Sequence, residues 1–217
     1  MLELTPELLI KSAKLFCVNY SKKGIKELFG VTDGKAVGTF IEHLFKKYLR
    51  EHYTFDTGNA ARGIDLPSVQ TDIKVTSFKQ PQSSSPFKDT KQKIYGLGYS
   101  LLIFVYNKTD DPLSEQALLD FVSCSYVNAD RTADFTLTAL INKHIEVGAN
   151  IEDIMALFKD KALPGDDITY TLLAEEVLKN PPKQGYLTIS NALQWRLQYQ
   201  RIVNLSKDSV EGIVKII

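Results

Sequence analysis

The sequence predicts an α/β fold: a central mixed β-sheet flanked by helices, with a mainly helical C-terminal extension. Three observations carry this. Amphipathic helical stretches open the chain, strand-forming runs fill the middle from "EHYTFD" to about Val127, and helical periodicity returns after about residue 131. With 217 residues, 44% of them hydrophobic, the chain can bury a real core. The expected organisation is a single domain over 1–217, with a core at about 34–127 and the helical extension at about 131–217.

Thr5, Pro6 and Glu7 form an N-cap, a first-turn proline and a first-turn acid, opening a helix that carries Leu8, Leu9, Ala13 and Phe16. A second helix spans about Gly34 to Leu49, where Val37, Phe40, Ile41, Leu44, Phe45 and Tyr48 recur as one apolar stripe. Glu42 lies at the edge of that stripe and Lys46 follows one turn later, the spacing of a solvated ion pair. Strands are expected in "EHYTFD", around Gly63 to Asp65, and in "VQTDIKVTS". "PFKDTKQKIYGLGYSLLIFVY" is a short helix feeding a strand, and the unbroken apolar run Leu101 to Tyr106 marks a central strand buried on both faces. Gly96 and Gly98 lead from helix to strand and are not followed by Lys-Ser/Thr, so they are turn glycines and not a phosphate loop. A further strand covers Leu118 to Val127. Helices follow in "FTLTALINKHI", "NIEDIMALF" and "TYTLLAEEVL", then an amphipathic stretch through Trp195, with Pro164, Gly165, Pro181 and Pro182 as punctuation.

Charge and cysteine content narrow the chemistry. The 26 basic and 26 acidic residues cancel, so a polyanion would have to meet a local basic surface instead of a global field. Cys17 and Cys124 have no neighbours at disulfide-framework or zinc spacing. Neither a secretory leader nor an apolar run long enough to cross a bilayer is evident, which leads us to expect a soluble, cytoplasmic protein without membrane contact.

The chemistry concentrates in "GIDLPSVQTDIKVTS". Side chains alternate along a strand, so Asp72 and Lys74 point the same way, ~7 Å apart at the backbone, while Ile73 enters the core. Asp65 precedes Leu66-Pro67, which end or bend the preceding segment and let Asp65 and Asp72 converge at one rim. Two hard oxygen donors suit Mg²⁺. Lys74 on the same face can orient an attacking water, or help deprotonate it, and balance charge building on phosphorus. The bland alternative is a hairpin with charged residues on its wet face.

The stretch from Glu42 to Tyr106, with Asp65, Asp72-x-Lys74, "TSFKQPQSSSPF" and "QKIYGLGYSLLIFVY", resembles the core of the PD-(D/E)xK nuclease superfamily and is most similar to its type II restriction endonucleases. The resemblance implies a restriction-endonuclease-like sheet and Mg²⁺-dependent hydrolysis of DNA phosphodiesters. It matches Asp65 to the first metal-binding aspartate, Asp72 to the second acid, Lys74 to the motif lysine and Glu42 to an extra helix-borne acid. Two departures are visible. Leu66-Pro67 follows Asp65 where a proline often precedes, and only six residues separate Asp65 from Asp72, which leaves Asp56 as an alternative first acid.

Two surfaces are candidates for double-stranded DNA. The loop after the catalytic strand offers Gln80 and Gln82 to an adenine edge, Lys79 and Lys88 to phosphate, and Ser77, Ser83, Ser84 and Ser85 to either. The stretch "ISNALQWRLQYQRIVNLSK" can pack through Leu193, Leu197 and Val203 while presenting Gln194, Arg196, Gln198, Arg201 and Lys207; Trp195 and Tyr199 are assigned to packing. Arg131, Lys143, His144 and Lys161 have the pattern of ordinary surface residues. The leading expectation is a sequence-specific endonuclease, commonly a homodimer on a palindrome, with a cognate DNA methyltransferase as counterpart. A structure-selective repair or recombination nuclease and a noncatalytic DNA-binding module are the alternatives.

Overall fold

The computed structural model describes residues 1–56, 63–84, 87, 89–190, 196–207 and 209–217, and the chain forms two compact units. One comprises Met1–Ser83, Ser100–Val127 and Val203–Ile217; the other comprises Ser84–Tyr99 and Asn128–Ile202.

In the first unit the strand β1 (Leu2–Glu3) precedes α1 (Pro6–Tyr20), whose Thr5 cap accepts from the Leu8 N–H at 3.3 Å. After β2 (Gly24–Ile25), Asp33 accepts from the Lys35 N–H and starts α2 (Gly34–Arg50), which leads to β3 (Tyr53–Thr54), a parallel partner of β1. Both predicted helices are therefore present. The α2 stripe is buried at Val37, Ile41, Phe45 and Leu49.

The sheet is built on β4 (Thr71–Ser77). β5 (Gln82–Ser84) continues the chain beyond it, and the main partners come later: β6 (Ser100–Asp111), β7 (Gln116–Val127) and β10 (Ile213–Lys215). The order β10-β7-β6-β4 makes β4 an edge strand; β4 and β6 run parallel and the other pairs antiparallel, with β2 also on β7. Every residue from Leu101 to Tyr106 is buried, as expected of a central strand. In β7 the core side chains change parity, Leu119 and Phe121 giving way to Cys124 and Tyr126. Val105 pairs with Ser123 and Tyr106 with Phe121, so Val122 is an extra residue. This bulge keeps both halves of β7 facing the core despite the odd-to-even switch. Phe16, Phe45, Phe104 and Phe121 interlock there with ring centroids 5.0 to 5.9 Å apart.

One expected strand is not formed. Gly63 to Asp65 is irregular, and the chain returns through a 3₁₀ turn at Pro67–Val69, with Gln70 at φ 46° and a single antiparallel bridge between Leu66 and Thr71. Proline at the first turn position and a left-handed residue at its end reverse the chain too tightly for a second strand.

The second unit begins with α3 (Thr90–Tyr95), capped by Asp89 and closed at Gly96, where φ is 91° and an added Cβ would stand 2.5 Å from the Ala129 carbonyl oxygen. The helices α4 (Phe135–Glu146), α5 (Ile151–Asp160) and α6 (Asp167–Lys179) each start on a side-chain cap, from Asp134, Asn150 and Asp166. Ile141, Ile154, Phe158, Leu173 and Val177 form their common core. The amphipathic stretch expected beyond them starts as strand where it is described and becomes helical only for one short turn near its end. β8 (Thr188–Ile189) pairs antiparallel with β9 (Arg196–Gln198), followed by α7 (Gln200–Val203). Leu197 is buried between exposed Arg196 and Gln198, a two-residue period that suits a strand. Tyr199 is fully buried, consistent with packing. Leu193, Gln194 and Trp195 lie outside the described residues.

Candidate active site

The edge position of β4 determines what its outward-facing backbone meets. Among the described residues no strand pairs with it on that side; instead the Ile73 N–H donates to Asp65 Oδ2 at 2.9 Å. The 3₁₀ turn is what makes this possible, because it reverses the chain between Asp65 and Asp72 and lays the first carboxylate along the edge. The short spacing is thus the length of one tight turn.

Asp72 and Lys74 occupy one face of β4, as alternation requires, with Nζ 2.7 Å from Asp72 Oδ2. The face is not wet: Asp72 is 4% exposed. Asp72 also shares a hydrogen bond with Asp65. Burial and that shared bond push the Asp72 carboxyl up to about 6 against the pull of Lys74. Burial acts upward on Asp65 too, but the bond to Asp72, the Lys46 ammonium and the Ile73 N–H outweigh it and hold Asp65 below the usual carboxylate range. The two acids therefore divide into one that ionises readily and one that holds its proton up to about pH 6.

The helix supplies a third acid and a second lysine. Lys46 Nζ lies 2.7 Å from Glu42 Oε1 and 2.6 Å from Asp65 Oδ1. The expected i,i+4 pair is present, but it extends to Asp65 and so ties α2 to the carboxylate rim. Burial draws the Lys46 ammonium down, yet Asp65 and Glu42 together leave it raised. Close backbone approach allows this: Gly38 of α2 sits over β4, where a Cβ would be 3.4 Å from the Val75 carbonyl oxygen. Asp56, the alternative first acid, is exposed just past β3.

A family model described as type II restriction enzyme NspV matches residues 3–215. The chain belongs to that family. The NspV relationship runs almost end to end: a type II restriction enzyme NspV of Nostoc sp. is 52% identical over 213 residues, 98% of this chain and 96% of the relative. No solved structure matches the chain.

The DNA-contact candidates of this NspV-family chain are distributed unevenly. Ser77 is half-buried and its Oγ accepts from the Lys79 N–H at 3.3 Å. Lys79 and Gln80 are exposed beyond it, Gln82 and Ser83 are half-buried in β5, and Ser84 is exposed. Lys88 and Ser85 lie outside the described residues. In the second unit Arg196 is exposed at the start of β9, whereas the Arg201 guanidinium lies 3.6 Å from the Phe135 ring centroid.

Sequence reasoning missed two contributors. The sequence pairs Lys46 only with Glu42; its place on the same helical face as an acid aimed at the site is the available signal. The sequence places Thr76 on the Asp72–Lys74 face without giving it a role, yet its Oγ1 donates toward the Gln80 and Gln82 carbonyls at 3.2 and 3.0 Å and accepts from the Gln82 N–H at 3.0 Å. The next residue on the Asp72–Lys74 face therefore ties down the loop.

Proposed function

We propose that Asp65, Asp72 and Lys74, assisted by Glu42, form the hydrolytic centre through which this restriction enzyme cuts double-stranded DNA at a specific sequence, with Mg²⁺ as cofactor. The observation that carries the assignment is the convergence of a turn-borne Asp65 with the strand-borne Asp72 and Lys74 at one sheet edge.

Among the described residues no group of three or more His, Cys, Asp or Glu side chains could hold a metal ion. Two aspartates are nonetheless a donor set that fits Mg²⁺, which commonly takes one or two carboxylates and leaves the rest of its octahedron to water and substrate phosphate. Asp65 and Asp72 would be those ligands. When bound, the ion supplies charge neutralisation at the phosphodiester and acidifies water. Lys74 orients the attacking water and stabilises negative charge as it develops on the phosphoryl oxygens. Attack forms a new P–O bond and breaks the bond to the 3′ oxygen, leaving a 5′-phosphate and a 3′-hydroxyl. Glu42 stands beside this centre on α2, paired with Lys46, which in turn contacts Asp65.

For sequence reading we assign Ser77, Lys79, Gln80, Gln82, Ser83, Ser84 and Lys88 to the loop side, with Arg196 and Arg201 as the second group. Arg201 reaches DNA only by leaving Phe135. Among the described residues no helix is long and apolar enough to cross a membrane. We further propose that the enzyme works in the cytoplasm as a homodimer, as two-fold symmetry matches a palindrome, opposite a cognate DNA methyltransferase.

The test is to incubate the purified protein with a sequence-diverse linear duplex and Mg²⁺ and to map every end chemically. Discrete fragments sharing one short motif, with 5′-phosphate termini, are expected. Folded Asp72→Asn protein at full activity would remove the proposed centre, and 5′-hydroxyl ends would reject the cleavage chemistry.

A further inference from the structure

The carboxylate rim already holds a cation. Lys46 Nζ contacts Asp65 Oδ1 at 2.6 Å and Glu42 Oε1 at 2.7 Å, and its side chain is 13% exposed. The other oxygen of Asp65 is taken by the Ile73 N–H at 2.9 Å, and Asp72 Oδ2 is taken by Lys74 at 2.7 Å. Oδ2 keeps a lone pair but Oδ1 is held by an ammonium, so a dication that takes Oδ1 has two options. It can share Oδ1 with the ammonium, placing charges of +2 and +1 about 4 Å apart where water is largely excluded, a strongly repulsive arrangement. Or it can take the place of Lys46.

We propose that Lys46 is a built-in counter-cation of the metal-free site, competing with the divalent ion for Asp65 and keeping metal affinity low until DNA is bound. The inference rests on the assignment of Asp65 and Asp72 as metal ligands. Three carboxylates, Glu42, Asp65 and Asp72, face two ammonium groups, Lys46 and Lys74, so the free enzyme offers an incoming dication little net negative charge. A phosphodiester at the rim adds the missing charge and gives the displaced ammonium a new partner. Metal loading then follows DNA binding.

The sign of one substitution separates this from a purely structural role. If Lys46 only braces α2 against the turn, removing it loosens Asp65 and weakens metal binding. If it competes, removal strengthens binding. Mn²⁺ binding to DNA-free protein, followed by loss of the free-ion electron paramagnetic resonance signal, measures this without turnover. Folded Lys46→Met should bind Mn²⁺ at least about tenfold more tightly than wild type, with Lys46→Arg near wild type, because an opposing charge in a poorly solvated site readily outweighs 1.4 kcal/mol. Lys46→Gln, which keeps a hydrogen-bond donor, should change in the same direction and serves if the methionine variant does not fold. Unchanged or weaker binding in both variants overturns the proposal. Asp72→Asn separates the two failures: if it abolishes Mn²⁺ binding while the Lys46 variants bind no tighter, only the counter-cation role falls. If Asp72→Asn binds like wild type, the ligand assignment falls and the counter-cation role with it.

Discussion

Lys74 Nζ lies 2.7 Å from Asp72 Oδ2, yet the Asp72 carboxyl is pushed up to about 6, because burial and the hydrogen bond shared with Asp65 outweigh the neighbouring ammonium. The electrostatic result is a carboxylate pair that is costly to ionise fully before a cation arrives. That property makes the pair receptive to a metal ion and sensitive to acid.

The first prediction concerns pH. Below about 6 a cation must compete with a proton for Asp72, so Mg²⁺ affinity should fall by about tenfold per unit there and level off above it. For stability the sign runs the other way. The folded-state value lies above the ordinary one, so Asp72 contributes stability fully below about pH 4, and that contribution is lost as pH rises through about 6. Asp72→Asn, which resembles the protonated form, should therefore gain in melting temperature relative to metal-free wild type between pH 5 and 8. Paired calorimetric scans check this, and a difference that shrinks with rising pH would contradict it.

Lys74→Ala should fold, since its side chain is on a polar rim and not in the core, and should lose about 10²- to 10⁴-fold in single-turnover cleavage. A second readout does not depend on turnover. Lys74 draws the Asp72 carboxyl down, so without it the pH midpoint of metal binding should move upward. A normal cleavage rate, or a midpoint displaced downward, would assign Lys74 to structure alone.

The parts of this site legible in sequence were those fixed by local geometry. Two-residue alternation placed Asp72 and Lys74 together, the 3.6-residue period placed Glu42 and Lys46 together, and an uninterrupted apolar run identified β6. What escaped was set by tertiary contact. Asp65 reaches β4 through a 3₁₀ turn instead of a paired strand, a distinction that Leu66-Pro67 alone does not make. Lys46 bridges to a residue 19 positions away, and its place beside Glu42 marks the face it is on but not that partner. The burial of Asp72 was hidden because alternation assigns a face without saying whether the face is covered. The strand at Arg196–Gln198 was missed because three residues are too few to set a two-residue period against a helical one.

Thr76 supplies a prediction about the loop. Its hydroxyl meets the Gln80 and Gln82 carbonyls and the Gln82 N–H, fastening the segment that bears both glutamines. Thr76→Val preserves shape and removes these bonds, at a cost of about 1–2 kcal/mol. Urea denaturation should show that loss. Relaxed preference for the cognate sequence should accompany it if the loop reads bases, whereas unchanged preference would place base reading elsewhere.

The glutamines and the lysine on that loop should separate by the kind of loss they cause. Gln80 is exposed and Gln82 half-exposed, and each amide can present a donor and an acceptor to an adenine edge in the major groove. Such a paired contact discriminates by about 1–3 kcal/mol against the wrong base. Gln80→Ala and Gln82→Ala should therefore weaken binding to the cognate duplex far more than to single-base variants. Lys79, also exposed, can neutralise one phosphate, which is the same in every sequence. Lys79→Ala should lower affinity for all duplexes alike and reduce the slope of log affinity against log salt by about 0.9. Competition binding in Ca²⁺, with one cognate duplex and a panel of single-base variants at several salt concentrations, measures both quantities at once. Uniform losses for the glutamine variants would move base reading to the second unit, where Arg196 is the next residue to replace because it is exposed while Arg201 is held on Phe135.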